Sequence, residues 1–394
     1  MAQPVPARIG DTIDEIDTPA LILELDAFEA NVALMAAEAA RMGVALRPHA
    51  KSNKCAEIAR RQIAAGAVGV CVQKVSEAVA LAEAGIDDIL ICNELVGKPK
   101  IAALVELSGR IRIAACVDDI GNVAAIERAA AAAGTTVSLL VDVDVGQGRC
   151  GVPPSQVVQL AQAIVSAPHL NFAGLQAYHG GAQHIRDVGE RRAAALSAVS
   201  QAAAARDALA AARIACPLIS GAGTGTFRYE GASGLYTEIQ PGSYVFMDAD
   251  YNRNRWEAFD AADNEASPSR ESPPLRQGPP FSQSLYVLAT VMSRVDASRP
   301  IVDAGLKALA VDSGMPLVDG RPGVTYERAS DEHGNLRLEA EGAGRQVAGL
   351  SLGDRVKLIP GHCDPTVNLY DWLVAVRGGR VEAVWPVTAR GCLS

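Results

Sequence analysis

Residues 358–372 read LIPGHCDPTVNLYDW, and residues 46–54, far upstream, read LRPHAKSNK. The first stretch sets His362, Cys363 and Asp364 side by side; the second sets Lys51 among Arg47, His49 and Lys54. Read as a strand, the first stretch points His362 and Asp364 to one face and Cys363 to the other. An imidazole with a carboxylate suits a divalent cation such as Mn²⁺, Mg²⁺ or Zn²⁺, and two protein ligands leave positions open for water or substrate. Pro360, Gly361 and Pro365 stiffen the turn around the pair. The same spacing also arises on ordinary surfaces, so the pair acquires meaning only from its surroundings. Lys51 has a similar double reading. A lysine crowded by positive groups has its neutral amine favoured, as a Schiff-base lysine requires; an ordinary surface lysine has no such requirement.

Elements must position these residues, and the hydrophobic pattern supplies them. Between about residues 20 and 250 short β-branched or apolar runs alternate with alanine-rich stretches of helical spacing. Eight strand candidates lie at 43–50, 68–73, 88–94, 111–118, 137–146, 172–180, 217–223 and 239–248. Strands alternating with helices imply a parallel sheet, and eight units is the count of an α/β (β/α)8 barrel; an open doubly wound sheet is the alternative. Residues 16–258 are assigned to this barrel, and residues 259–283, rich in Pro, Ser and charge, to a linker or loop. Residues 284–394 carry short strands with turn signals and read as a mainly β domain.

In a barrel, residues at the C-terminal strand ends face the active site. That brings Arg149, Tyr178, His179, Gln183 and His184 towards Lys51. The SGAGTGTF turn with Ser220 and Thr224, and the QPGSYVF segment with Gly242, Ser243 and Tyr244, follow the last two strands. Glycine-rich turns there leave backbone N–H groups open to a phosphate. Lysine, phosphate turns, an aromatic and an arginine together suggest pyridoxal 5'-phosphate. Asp303 and Asp312 read equally as second-shell groups of the metal pair or as structural residues. His333 reads as a solvated turn residue and His169 as a surface one.

Composition removes other classes. A net charge of −9 without a Lys/Arg run argues against nucleic acid. Eight cysteines without a CxxC pair argue against a zinc ribbon and fit buried thiols in a reducing cytoplasm. The absence of an apolar run long enough to span a bilayer argues against a membrane protein, and the N-terminus has no signal-peptide core.

Four stretches, LRPHAKSNKCAEIARRQIAAGAVGVCVQKVSEA, GLQAYHGGAQHIR, VDAGLKALAVDSG and PGHCDPTVNLYD, closely resemble the D-threonine aldolase and D-serine dehydratase-like group over about residues 15–390. These are metal-dependent fold-type III pyridoxal phosphate enzymes built like alanine racemase. The resemblance implies a dimer and a strand added to the second domain by residues 1–15, with Lys51 as the Schiff-base lysine and Arg149 at the cofactor's phenolic oxygen. It places Tyr178 beside the ring, His49 beneath it, and the metal on His362 and Asp364. The dehydratase branch resembles His-x-Cys and uses zinc. Asp364 at the second ligand position points to the aldolase branch, with Mn²⁺, Mg²⁺ or Co²⁺ ahead of Zn²⁺. What is implied is cleavage of a D-3-hydroxy-α-amino acid into glycine and an aldehyde. The base is assigned to His184, with His179 second. One alternative is a 3-hydroxy-D-aspartate aldolase, whose substrate needs a further cation, Arg186 or Arg228. Another is a dehydratase of D-serine or 3-hydroxyaspartate. A non-catalytic cofactor carrier is the reading from a different class, and the β domain with its His-x-Asp pair argues against it, as it does against a racemase or decarboxylase.

Overall fold

The computed structural model describes residues 4–257, 279–296, 298–339 and 349–394. The chain enters on β1 (Ala20–Glu24), an ALILE run buried along most of its length, and α1 (Leu25–Met42), which Gly43 ends at a left-handed φ of 70°. Eight parallel strands follow: β2 (Ala45–Leu46), β3 (Val70–Val72), β4 (Asp88–Glu94), β5 (Arg112–Val117), β6 (Val137–Asp142), β7 (Leu170–Ala177), β8 (Ile219–Gly221) and β9 (Glu238–Ile239). They pair in the order β2-β9-β8-β7-β6-β5-β4-β3. A parallel bridge from His49 to Cys71 joins the two ends, so the sheet curls into a barrel.

Helices α2 (Ala56–Ala64), α3 (Val75–Glu83), α4 (Lys98–Ser108), α5 (Ile120–Ala133), α6 (Val157–Val165) and α7 (Val188–Ala211) cover its outside. Strands buried on both faces read as continuous apolar runs, as in β3, VCV. Their outward side chains pack on the helices, while Cys71, Leu90, Cys92, Cys116 and Leu140 fill the barrel interior. The cysteines are all free thiols, and those five strand and site positions that are most enclosed, Cys55, Cys71, Cys92, Cys116 and Cys363, are buried. Short helices α8 (Phe227–Gly231) and α9 (Ala249–Asn252) follow β8 and β9.

The second domain contains β10 (Leu285–Ser293), β11 (Ile301–Val302), β12 (Leu317–Val318), β13 (Val324–Ala329), β14 (Gly334–Leu338), β15 (Arg355–Ile359), β16 (Trp372–Arg377) and β17 (Arg380–Pro386). A short helix, α10 (Cys363–Val367), interrupts them. The order is β13-β14-β11-β10-β1-β16-β17, with β15 joined to β10 and β12. His333 is exposed in the β13–β14 turn, as its polar neighbours suggested.

Three boundaries differ from the sequence reading. The strand that enters the second sheet is β1, at 20–24, whereas among the described residues 4–15 Thr12 makes an isolated bridge to Arg380. The predicted strand over 239–248 stops after Ile239, because Pro241 lacks the N–H a strand needs. Most of the predicted linker, residues 259–278, lies outside the described residues; Phe281 and Ser284 are buried parts of the fold.

Candidate active site

Lys51 sits on a single helical turn, Ala50–Ser52, just beyond β2, and its backbone N–H donates to His49 Nδ1 at 3.4 Å. Its amine donates to a carboxylate oxygen of Asp364 on the second domain, so the two motifs 313 residues apart meet at one ion pair. This corrects the expected environment. Arg47 turns into the barrel floor and bonds Asp88 at 2.7 Å and Glu238 at 2.9 Å. Lys54, at a left-handed φ of 49°, turns outward to Glu77 at 2.6 Å. Burial draws the Lys51 amine down, but the Asp364 carboxylate outweighs it and holds the amine above its ordinary value. The positive crowd is therefore absent. In return burial pushes Asp364 up and Lys51 more than offsets it, leaving the carboxyl at about 2. His49 is buried beneath the pair, within 3.3 Å of Gln73 Oε1, and burial followed by the Lys51 charge lowers it to about 3.

The His-Cys-Asp stretch is not a strand. His362 has extended backbone (φ −146°, ψ 122°) and caps α10, whose first turn holds Asp364 and Pro365. Proline is tolerated in a first helical turn because its missing N–H would be unpaired there. Thr366 Oγ1 donates to the His362 carbonyl at 2.7 Å, and the Cys363 N–H donates to buried Asp248 at 2.9 Å. Burial raises the Cys363 thiol, which keeps it neutral. His362 Nδ1 lies 2.8 Å from Asp312 Oδ2, which leaves its Nε2 for another partner. Asp303 instead accepts from Thr18 Oγ1 at 2.6 Å and Thr290 N at 2.8 Å, a structural role within the β sheet. A low-lying carboxylate and an oriented imidazole form a donor set that fits a hard divalent ion.

The cofactor residues divide. Tyr178, at the end of β7, has Lys51, Arg149 and Asp364 as charged neighbours, and the Arg149 guanidinium lies 5.9 Å from its ring centre. At β8 and β9 two glycine turns meet where Tyr244 N donates to Thr224 Oγ1 at 3.1 Å. A Cβ on Gly242 would lie 2.9 Å from the His49 carbonyl and 3.2 Å from Ser52 Oγ, so this turn presses on the lysine loop. A glycine cradle beside an amine, an aromatic and an arginine fits pyridoxal phosphate. Ser220 does not belong to it: its hydroxyl donates to Glu238 at 2.6 Å and accepts from Gln240 at 2.7 Å, inside the barrel floor. The Tyr244 ring is also turned away, fully buried against Phe281 with its hydroxyl accepting from Gln62. Ser243 is buried in the turn.

The histidines face different ways. His179 packs on Gly146 and Gly181 towards the β6 loop, with Nδ1 unpartnered. His184 packs on Tyr251, with centroids 4.9 Å apart, and Tyr251 has Tyr178, Asp364 and Cys363 as neighbours. His184 is thus on the side of the metal pair. Among the arginines, Arg228 turns to Glu38 on α1, at 3.1 Å. Arg186 stays near His184, bound to Asp250 and to Asn254 Oδ1 at 2.7 Å. His169, half-exposed, bonds Glu127 at 2.9 Å.

Sequence reasoning missed the segment MDADYNRNR at 247–255. It supplies Asp248 under the metal loop and Asp250 under His184; its one visible signal was an unusual density of acid, aromatic and arginine just past the last strand. Also missed was Asp142, whose carboxyl burial and neighbouring Glu94 push up, opposed by Arg149.

Comparison with known proteins follows the same division. The profile for the alanine racemase N-terminal domain matches residues 23–250, and that for the serine dehydratase domain matches residues 284–376. The chain is 47% identical to a D-threonine aldolase of Arthrobacter sp over 392 residues, covering 99% of this chain and 97% of that protein. It is 43% identical to a 3-hydroxy-D-aspartate aldolase of Paracoccus denitrificans over 390 residues, 98% of this chain and 95% of the relative. The crystal structure of a D-threonine aldolase from Filomicrobium marinum superposes with a TM-score of 0.90 at 46% identity, covering 100% of both chains.

Proposed function

The chain belongs to the alanine racemase-like family that includes the D-threonine aldolases, and on that premise we propose that it is a carbon–carbon lyase cleaving D-3-hydroxy-α-amino acids such as D-threonine. The observation that carries the reading is the meeting of Lys51 with Asp364, which sets a would-be metal carboxylate against the amine that would hold the cofactor. His362 and Asp364 would hold the metal, of which Mn²⁺, Mg²⁺ or Co²⁺ suit an aspartate ligand better than Zn²⁺ does. Lys51, Arg149, Tyr178, Thr224, Gly242 and Ser243 would hold pyridoxal phosphate, over His49. When bound, the metal lowers the pKa of a coordinated hydroxyl and pyridoxal phosphate withdraws electrons from Cα.

The residues of the chain do the rest. Arg149 and Tyr178 hold the ring side of the cofactor in place. His184 takes the proton of the β-hydroxyl, the Cα–Cβ bond breaks to release an aldehyde, and a proton delivered to Cα completes glycine. Burial lowers His179, but it faces the β6 loop, so His184 is the base of choice. A homodimer and a cytoplasmic location complete the proposal; no helix among the described residues is long and apolar enough to cross a membrane.

A second reading, 3-hydroxy-D-aspartate as substrate, is favoured by Arg186, a cation held beside His184 through their shared partner Asp250. One assay separates the readings. Purified protein with pyridoxal phosphate and Mn²⁺, with and without EDTA, is given D-threonine or D-threo-3-hydroxyaspartate. EDTA-sensitive glycine with acetaldehyde supports the first reading, and glycine with glyoxylate alone supports the second. Ammonia and a keto acid without glycine overturn both.

A further inference from the structure

His184 Nδ1 lies 2.5 Å from Asp250 Oδ2, and the ring rests on Tyr251, so it is held by an edge and a face. Asp250 is 5% exposed, and its other oxygen accepts from both Arg186 and Arg253. Arg253 also donates to the Ser313 carbonyl at 2.5 Å, next to Asp312, the partner of His362. Asn254 completes the frame: it accepts from Arg186 at 2.7 Å and donates to the Gln183 carbonyl at 2.9 Å, one residue before His184. The cluster therefore braces the turn after β7 and, at once, the segment around Ser313 between β11 and β12, a strap of the second domain.

We propose that Asp250 is the positioning residue of the catalytic base. This deepens the aldolase reading and rests on it. The Asp250 carboxylate facing Nδ1 favours the tautomer with the proton on that nitrogen, which leaves the lone pair on His184 Nε2 for the substrate. In the step, the β-hydroxyl proton moves to Nε2. The electron pair left on that oxygen forms the aldehyde C=O as Cα–Cβ breaks, and the pair from that bond stays with Cα, where a proton then completes glycine; pyridoxal phosphate held by Lys51 would withdraw charge from that carbon. His184 becomes an imidazolium beside an aspartate that stays ionised, since two guanidinium groups share its other oxygen and oppose its protonation. Arg186 and Arg253 thus act through Asp250, not on the substrate hydroxyl.

The test uses the full chain with pyridoxal phosphate and Mn²⁺, as the parent and as D250N, H184N and D250N/H184N, with ¹⁵N-histidine NMR of the parent alongside. Asparagine keeps the volume but can present an N–H donor to Nδ1 and favour the wrong tautomer. The expected result is a kcat lower by on the order of 10²-fold in D250N with KM little changed. The double variant should be no slower than H184N, because Asp250 works through that ring. NMR should show His184 as the Nδ1–H tautomer. An unchanged kcat in D250N, additive losses in the double variant, or an Nε2–H tautomer overturns the proposal. A parent that forms no glycine overturns the aldolase reading instead, while the tautomer still decides whether Asp250 holds the ring. The NMR reading needs no variant and stands should D250N fail to fold.

Discussion

Gly223→Ala tests whether the phosphate turn and the base turn are one mechanical unit. Gly223 has no left-handed φ, so alanine is conformationally allowed and the cost is steric. Its Cβ would lie 2.6 Å from Gln183 Oε1 and 2.7 Å from Cδ, inside contact distance. Gln183 is fully buried, with Oε1 accepting from Gly225 N at 2.9 Å and Nε2 donating to Thr226 Oγ1 at 2.9 Å and the His179 carbonyl at 3.1 Å. Displacing the amide breaks these three bonds, at about 1 kcal/mol each, or roughly 3 kcal/mol together. With an unfolding entropy of about 2.1 cal/mol/K per residue, that lowers the melting temperature by roughly 4 °C in a chain of 394 residues. Because Gly225 belongs to the cradle, about half of the loss should appear as weaker cofactor binding, roughly tenfold in Kd. Differential scanning fluorimetry with and without pyridoxal phosphate, plus a cofactor titration followed by absorbance, measures both. In a Gln183→Ala background the substitution should cost little, since its obstacle is gone. A Gly223→Ala protein that melts within about 1 °C of the parent and binds the cofactor as tightly would refute the steric argument.

Other outcomes follow from neighbouring contacts. Asp312→Ala frees His362 Nδ1 and should weaken metal binding roughly 10–100-fold, read by Mn²⁺ titration; an unchanged affinity would remove Asp312 from the site. Glu230 is 1% exposed, and burial raises its carboxyl from about 4.5 to about 8, so the fold holds it neutral. Its contribution is full below the unfolded value near 4.5 and is lost as pH rises towards 8. Glu230→Gln should therefore stabilise by about 3 kcal/mol at pH 7 and by under about 1 kcal/mol at pH 5. Chemical denaturation at the two pH values checks it, and a gap that widens on acidification would reverse the sign. Lys54→Met leaves Glu77, 3% exposed, without its cation while two backbone N–H groups, of Gln73 and Lys74, still hold its other oxygen. The expected loss is about 3 kcal/mol, at the low end for a broken buried pair; a loss under about 1 kcal/mol would mean water reaches the carboxylate.

Much of the architecture could be read from periodicity. β3, VCV, is apolar throughout because both its faces are covered, and α5 is bracketed by Asp119, which caps it, and Gly134, which ends it at φ 65°. These are local properties, carried by neighbours in the chain. Boundaries were harder. The segment after Ile239 has strand-like residues, yet Pro241 and packing against His49 fold it into a turn. Ser220 and Tyr244 have the right residue types for a phosphate turn, but side-chain direction is set by the pleat and by available space, and both point elsewhere.

The sequence by itself determined the residue types and the barrel count, because these depend on spacing and on chemistry available to each side chain; the pairing of Lys51 with His362 and Asp364 was legible through resemblance to a known family. Only the tertiary structure decided the charges. Lys51 has cationic neighbours in the chain, but in space Arg47 and Lys54 are neutralised elsewhere, and Asp364 arrives from 313 residues away. Electrostatic energy depends on distance through space and on burial, neither of which is written in the order of residues. The same reason hid Asp250: its role exists only where β7, α9 and the strap at Ser313 converge.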